Sequence, residues 1–418
     1  MKEFKFDTLV IGGGSAGMAA ALEVSRRGFT VAVAERENSM GGILNQCIHN
    51  GFGLHHFKEE LSGPAYAEKF IDMVETSNIE VFIDMTVMDI EETGDLKYAY
   101  GLSKLTGMIK FCVKTVVFAN GCRERNRGSI GTPGTRPSGV FTAGLAQRLV
   151  NMEGYIPGKE CVIVGSGDIG LIMARRMTWV GAKVKAVIEI QSYPAGLTRN
   201  IVQCLNDFDI PLYLSHVVGE IHGKDRVESI DVIPLKKGIE QKDKTFNIKC
   251  DSLLLAVGLV PDNELIQKIG ISINPETNGP IVDRQLMTAK NGIFACGNVL
   301  HVHDLVDFVT EESERCGRYV SNYLDKKIPA EQFRSIPGQN VKYLVPNYYS
   351  PINENKFYLR TMVVKNRAEL IVKVNDKEIL RKKLKHIQPS EMISFSIPGG
   401  TVDCISECRD NTLEVHIV

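Results

Sequence analysis

The sequence contains no CxxC pair and no short disulfide framework, although it has ten cysteines in 418 residues. That absence argues for a reducing compartment and for cysteines used mostly as small buried apolar groups. Cys404 and Cys408 are too few to hold a zinc or iron–sulfur centre alone. No stretch reaches the roughly 18 to 20 apolar residues of a membrane span, so no membrane insertion is expected. The small-residue run after Lys2 and Lys5 opens on Asp7, which argues against a secretory signal and for a cytoplasmic protein. Charge of one sign is missing too: 49 basic residues face 50 acidic ones, and neither nucleic acid nor an acidic membrane surface is implied as a partner. What is present, 44% hydrophobic and 24% charged residues, is ordinary for a globular chain of about three domains.

The informative stretch runs from Asp7 to Glu37. An apolar run (Thr8 to Ile11) enters Gly12-x-Gly14-x-x-Gly17, and an alanine-rich helix former follows. The chain turns at Gly28, and a second apolar run, Val31 to Ala34, ends on Glu35. Strand, glycine turn, helix, strand and acid make up a dinucleotide-binding unit. Gly12 permits the tight turn, Gly14 lets backbone approach a pyrophosphate, Gly17 lets helix and strand pack closely, and Glu35 accepts from a ribose.

The pattern recurs. Glu160 to Val164 leads into Gly165-x-Gly167-x-x-Gly170, then a helix from Leu171 to Val180, a turn at Gly181 and a strand from Val184 to Ile188. Superposing the glycines leaves Glu189 one residue late, with Ile188 where Glu35 stands. Strand side chains alternate, so this slip turns Glu189 to the other face unless a bulge or the strand's end absorbs it. No arginine pair follows the second strand, which favours NAD(H) over NADP(H).

Between the units, Pro64 to Ser77 has helical spacing, Ile79 to Ile90 alternates, and Lys97 to Ala119 reads as a meander broken at Gly101 and Thr106-Gly107. Gly128 to Gly139 reads as a connection between domains. Farther on, Arg199 to Asp209 reads as helix, Leu212 to Val218 as extended, and Val227 to Pro234 with Thr245 to Lys249 as an antiparallel pair. Gly292 to Asn298 is a buried strand ending on a polar residue, followed by a helix near Leu305 to Leu324. From about Pro329 prolines, tyrosines and strands such as Lys356 to Val364, Glu369 to Val374, Met392 to Ile397 and Thr412 to Val418 suggest a small β domain.

Two fingerprints, each followed by an A-x-G turn (Ala119-Asn120-Gly121, Ala256-Val257-Gly258), and the closing Phe294-Ala295-Cys296-Gly297-Asn298 occur in a distinctive order. In this the chain resembles the flavoproteins with two dinucleotide-binding domains related to the pyridine nucleotide-disulfide oxidoreductases, over about residues 5 to 325. GGILNQCIHNGFGL and the stretch from GTRPSGVFTAG to GSGDIGLIMARR are similar to the FAD-dependent oxidoreductases accompanying anaerobic glycerol-3-phosphate dehydrogenase. They are similar also to large subunits of sarcosine-oxidase-like, opine and cyanide-forming amine dehydrogenases. The resemblance implies an α/β protein of two Rossmann-like three-layer domains, the second inserted in the first: FAD-binding residues 1–125 and 270–328, an NAD(P)-binding insertion at 126–269, and a β-rich C-terminal domain at 329–418.

It also implies site residues. For FAD these are Gly12, Gly14, Ser15, Ala16 and Gly17, with Glu35, Arg36, Gly42 and Val87, and Ala119, Gly121, Gly297 and Asn298. For NAD(H) they are Gly165, Gly167, Asp168, Ile169 and Gly170, with Glu189 and Gly258. The helix beginning near Asp304 or Leu305 would aim its positive end at the flavin edge that gains charge on reduction.

Two departures from the family pattern stand out. Its final motif usually ends Gly-Asp, where this chain has Gly297-Asn298; Asn can still donate or accept, with altered polarity. Its disulfide reductases carry two cysteines after the paired glycines, where this chain has Cys47 alone, which disfavours a disulfide reductase. Cys47 and His49 are then candidate catalytic groups, a thiolate or an acid/base facing the flavin; the competing reading is a buried thiol and a loop-positioning His. His301, His303 and Asp304 offer either proton exchange or helix capping. Arg123, Arg125 and Arg127 form a basic cluster, read as a solvated face or a phosphate contact.

The expected activity is FAD-dependent and NAD(H)-linked, moving hydride or electrons between nicotinamide, flavin and a partner protein or small acceptor, without a redox disulfide. One alternative is an FAD-carrying non-catalytic or electron-transfer subunit, in a hetero-oligomer with a dehydrogenase or iron–sulfur protein. Another is a single-cysteine NADH peroxidase or oxidase using Cys47.

Overall fold

The computed structural model describes residues 1–327, 330–402 and 411–418, so Cys404 and Cys408 lie outside the described residues. Strand β1 (Lys2–Ile11) is buried only over its last four residues, where it pairs in parallel with β2 (Val31–Ala34). Helix α1 (Ser15–Arg26) joins the two. Its run Ala16 to Leu22 is buried throughout, because small side chains let the helix lie close to its neighbours. Helix α2 (Gly63–Glu75) starts with Ser62 accepting from the Ala65 N–H and a proline in the first turn, which together fix its start. Then come β3 (Ile79–Phe82) and the antiparallel meander β4 (Met85–Thr93), β5 (Leu96–Ser103) and β6 (Gly107–Phe118).

The second sheet is wholly parallel and runs β7 (Val140–Thr142), β11 (Ser252–Leu255), β8 (Glu160–Val164), β9 (Lys183–Glu189), β10 (Leu212–Leu214), with α3 (Ala143–Asn151) and α4 (Asp168–Trp179) among its helices. The expected extended run from Leu212 to Val218 is two strands. Ser215, at a φ of 55°, breaks it, and His216–His222 joins a separate antiparallel sheet. A one-turn helix, Arg127–Ile130, leads into the stretch from Gly128 to Gly139. The Arg127 guanidinium donates to the carbonyls of Thr132 at 3.0 Å, Pro133 at 2.8 Å and Gly134 at 3.0 Å. Arg127 is therefore a clamp on its own loop rather than part of a solvated face or a phosphate contact.

The chain then returns to the first sheet. Strand β12 (Ile293–Ala295) pairs in parallel with β6, giving seven strands in all, and helix α5 (Val306–Leu324) packs on α1. The helices meet where a Cβ on Gly317 would lie 2.6 Å from the Ala20 carbonyl oxygen, so glycine sets their separation.

Two compact units result, Met1–Cys122 with Pro261–Val418, and Arg123–Val260. Residues 261–269, expected in the insertion, lie in the first unit, since Ile266 is in its core and Leu265 and Ile269 pack against that core. The C-terminal strands, expected as a body of their own, also belong to the first unit, with Tyr343 and Val345 in its core. A five-stranded and a three-stranded sheet enclose the remaining C-terminal core around Phe357, Leu370 and Leu413. One edge strand, Lys377–Ile387, escapes sequence reading because its charge hides its alternation. Lys382, Lys383 and Lys385 are exposed there, a composition that discourages edge-to-edge pairing.

Candidate functional site

In the first unit the sequence-predicted groups converge at the C-terminal ends of β1, β6 and β12. Gly12, at a φ of 107°, donates its N–H to the Ala34 carbonyl at 2.8 Å, and a Cβ there would meet the Ala119 oxygen at 2.5 Å. A Cβ on Gly17 would sit 1.8 Å from the Gly12 oxygen. A Cβ added to Gly14 would meet nothing nearer than the Gly42 Cα at 4.0 Å, so this side of the turn is open to an incoming group. Ser15 opens α1, whose first turn carries no acid and no side-chain cap. Its N–H groups and partial positive charge are thus available to an anion. From β12, Gly297 brings its Cα against Ala16, where an added Cβ would lie 2.7 Å from the Ala16 methyl. Gly121, at a φ of 73°, faces open space.

Glu35 is 5% exposed and accepts from the Gly13 N–H at 2.5 Å and the Glu37 N–H at 2.8 Å. Two charge-assisted bonds of about 1.5–3 kcal/mol each fix the carboxylate beside the turn, with lone pairs to spare for a ribose. Arg36 is largely exposed, 3.6 Å from Asp262. Val87 is half-buried on β4, two residues beyond Met85, whose N–H donates to the Glu35 carbonyl at 2.8 Å.

The second unit reproduces this turn. A Cβ on Gly165 would meet the Ala256 oxygen at 2.2 Å, and one on Gly170 the Gly165 oxygen at 2.3 Å. Gly167 and Gly258 face open space. The slip of Glu189 is absorbed by a bulge: Cys161 pairs with Val184 and Val162 with Ala186, leaving Lys185 as the extra residue. Val164 then pairs with Ile188 as Ile11 pairs with Ala34. Glu189 therefore stands where Glu35 does, and the expectation of a displaced acid is corrected. It accepts from the Ser166 N–H at 2.8 Å, the Ser166 hydroxyl at 2.6 Å and the Gln191 N–H at 2.9 Å. Unlike α1, α4 opens on an acid. Asp168 accepts from the Leu197 N–H at 2.9 Å and from Asn200 Nδ2 at 2.6 Å, tying down the following loop, and Ile169 packs against the unit's core.

The loop bearing Cys47 and His49 is pinned at three places: Gly41 N–H to Gly13 O at 2.9 Å, Gly63 N–H to Cys47 O at 2.8 Å, and Gly53 and His56 N–H to the buried Asp307 at 3.2 and 2.7 Å. Asp307 lies in the first turn of α5. Burial pushes the Cys47 thiol up to about 12, which keeps it protonated. His49 Nδ1 lies 3.1 Å from the Asn50 carbonyl oxygen, and its ring 4.9 Å from that of Phe52.

His301 and His303 lie against Glu312 and do not cap α5. His301 Nε2 lies 2.8 Å from Glu312 Oε2, and His303 Nε2 3.3 Å from Oε1, inside α5 rather than at its cap. Glu312 also accepts from the Gly297 N–H at 2.7 Å, and Asn298 Oδ1 accepts from the His303 N–H at 3.0 Å. Burial pushes the His301 imidazole down to about 4, with His303 adding to it against the pull of Glu312. Burial alone would raise the Glu312 carboxyl, but His303 and His301 outweigh it and hold it well below the usual range. Asp304 pairs with Arg360 and accepts from the Met392 N–H at 2.6 Å, so it fixes C-terminal strands and does not cap α5. Glu312 was not singled out from the sequence. A signal existed: it sits on the stripe Val309, Glu312, Cys316, Val320, an acid in the middle of a buried helix face.

Among the described residues, no helix is long and apolar enough to cross a membrane. A profile of the pyridine nucleotide-disulphide oxidoreductase family matches residues 6–315. An opine oxidase subunit of Agrobacterium tumefaciens is 26% identical over 321 residues, 70% of this chain and 61% of that protein, so the match spans less than two thirds of that relative. Thioredoxin reductase of Ureaplasma parvum is 25% identical over 304 residues, 72% of this chain and 90% of that one. The crystal structure of T. acidophilum thioredoxin reductase superposes with a TM-score of 0.63 at 21% identity, covering 77% of this chain and 99% of the other, a likeness of fold. Two glycine turns of one design, the return of the chain to its first sheet and the matched profile lead to one conclusion: the chain belongs to the pyridine nucleotide-disulphide oxidoreductase family.

Proposed function

We propose that the first unit holds FAD, that the second holds NAD(H), and that the protein moves hydride between them and passes electrons to a partner protein or small acceptor. The observation that carries this reading is the duplicated turn, with Glu35 and Glu189 making the same two backbone contacts. When bound, nicotinamide and flavin supply the hydride chemistry. The chain's own residues bind and orient: the uncapped start of α1 faces the pyrophosphate, Glu35 and Glu189 receive the riboses, and Gly297 and Asn298 close the flavin side. NAD(H) is favoured over NADP(H) because Ile190-Gln191-Ser192, next to Glu189, brings no cation to a 2′-phosphate.

A redox disulfide is not part of this reading. The cysteines among the described residues form no disulfide, and the Cys47 thiol is held up by burial. Cys296 and Cys316 are within hydrogen-bonding reach of each other, yet both are fully buried, where no partner protein reaches them. The same burial weighs against a peroxidase built on Cys47. Anaerobic titration with dithionite tests the point. One electron pair per flavin is expected, and uptake of a second pair by the protein sinks it.

A second reading, an FAD-carrying subunit that does not itself oxidise NADH, is favoured by the name of the opine oxidase relative, one subunit of a larger enzyme. Anaerobic stopped-flow with NADH separates the two. Rapid bleaching of the flavin supports the hydride pathway, and nucleotide binding without bleaching supports the carrier.

A further inference from the structure

We propose that His301, His303 and Glu312 form a buried site for one divalent transition-metal ion of the Zn²⁺ class. The inference stands whether or not the flavin reading does. The three side chains are at most 1% exposed, and one donor atom from each lies within 4.8 Å of the others. Two imidazoles and a carboxylate form a donor set that Zn²⁺ takes, with one position left over.

Hydrogen bonding within the cluster does not complete it. His301 Nδ1 and His303 Nδ1 are buried with no hydrogen-bond partner, and His303 Nε2 meets only the Glu312 carboxylate, at 3.3 Å and off hydrogen-bond geometry. A buried polar atom left unmade costs about 1–3 kcal/mol, so two such atoms in one cluster need an explanation. The buried Glu312 carboxylate stands near two guanidinium groups that are engaged elsewhere. The nearby guanidinium of Arg360 is paired with Asp304, and that of Arg315 lies over the Tyr358 ring and donates to its hydroxyl at 3.3 Å. Neither reaches Glu312 as a partner.

The geometry accommodates an ion. Tetrahedral Zn²⁺ with ligand bonds near 2.0–2.2 Å separates its ligand atoms by roughly 3.3–3.5 Å. His303 Nε2 stands 3.3 Å from Glu312 Oε1 and His301 Nε2 2.8 Å from Oε2, and with one donor atom per residue lying within 4.8 Å of the others, an ion taking one carboxylate oxygen draws the three side chains inward. Tyr358, with ring centroids 5.4 and 5.2 Å from the two histidines, walls the site. This enclosure suits a four-coordinate ion better than a six-coordinate one. Its role is positional, because Glu312 and His303 also hold the Gly297-Asn298 turn.

The test uses the full chain, without a histidine tag, produced in minimal medium supplemented with zinc or with cobalt. Elemental analysis after desalting is expected to find about one zinc per chain, and His303→Asn and Glu312→Gln at least about tenfold less. Cobalt-grown protein is expected to show the strong d–d absorption of a tetrahedral site, to the red of any flavin band. If the variants fail to fold, the unmodified protein decides alone through its metal content and cobalt spectrum. Metal-free protein with no cobalt bands, or folded variants that keep their metal, overturns the proposal; the first outcome leaves a proton on one imidazole as the partner of Glu312.

Discussion

The two nucleotide units are alike in backbone and unlike in how they guard it. In both, the acid after the second strand receives the N–H of the residue between the first two glycines, and the loop beyond returns to the same carbonyl: Gly41 N–H to Gly13 O at 2.9 Å, Gly196 N–H to Ser166 O at 2.8 Å. The first unit leaves the start of its helix bare; the second places Asp168 there and uses it to hold Leu197 and Asn200. A bare helix end suits a cofactor kept permanently. An end already engaged by a carboxylate suits a nucleotide that comes and goes, because the incoming phosphates meet a negative charge.

The largest expected effect tests the close approach of backbone in each unit. Gly17→Ala should lower FAD retention by at least roughly a thousandfold, about 4 kcal/mol, since its methyl meets a carbonyl and the helix must shift. Gly170→Ala should do the same to NADH affinity while the protein stays yellow. Equilibrium dialysis for FAD and fluorescence titration for NADH read these separately, and a variant that loses both ligands breaks the division of labour.

Next come the acids. Glu189→Leu should cost the second site roughly as much as Glu35→Leu costs the first, about 2–4 kcal/mol in Tm-derived stability and ligand affinity together, for the two backbone bonds each loses. If Glu189→Leu is silent in both thermal unfolding and NADH titration, the equivalence of the two acids is wrong.

A smaller effect sharpens the same point. Deleting Lys185 removes the bulged residue and restores the spacing of the first unit. The loss should not exceed about 1 kcal/mol, the value of its exposed ion pair with Glu160 at 2.8 Å. NADH binding lost along with Lys185 would falsify the bulge account.

The last test reads a labelling rate and concerns Cys47, which has no counterpart in the second unit. With its thiol pushed up to about 12, alkylation by iodoacetamide at pH 8 should run at least roughly a hundredfold slower than for an ordinary cysteine and speed up as pH rises toward that value. Peptide mapping checks it, with unfolded protein as the reference. Fast labelling at pH 8 would return the thiolate to consideration.

These comparisons show what a sequence can and cannot carry. The glycine fingerprints were legible because each demands glycine for a reason internal to the turn: a positive φ at Gly12 and Gly165, a carbonyl pressed against Gly17 and Gly170. The place of Glu189 was not, since a bulge at Lys185 arises from pairing with β8 and leaves no residue signature. Glu312 and its histidines were split in the same way. His301 and His303 stood out by type and spacing, but their partner lies eleven residues from His301, and the turn into α5 must fold to bring it close. Arg127 looked like surface because its acceptors are carbonyls, which composition does not reveal.

The clasp of Asp304 on Arg360 and the Met392 N–H has a practical meaning for anyone cutting this gene into parts. A fragment ending at Leu324 would keep both fingerprints and look complete, yet it would strip Tyr343, Tyr358 and Arg360 from around Glu312 and leave an ionised carboxylate at a new surface. The tail is therefore the floor on which the last turn of the first unit stands.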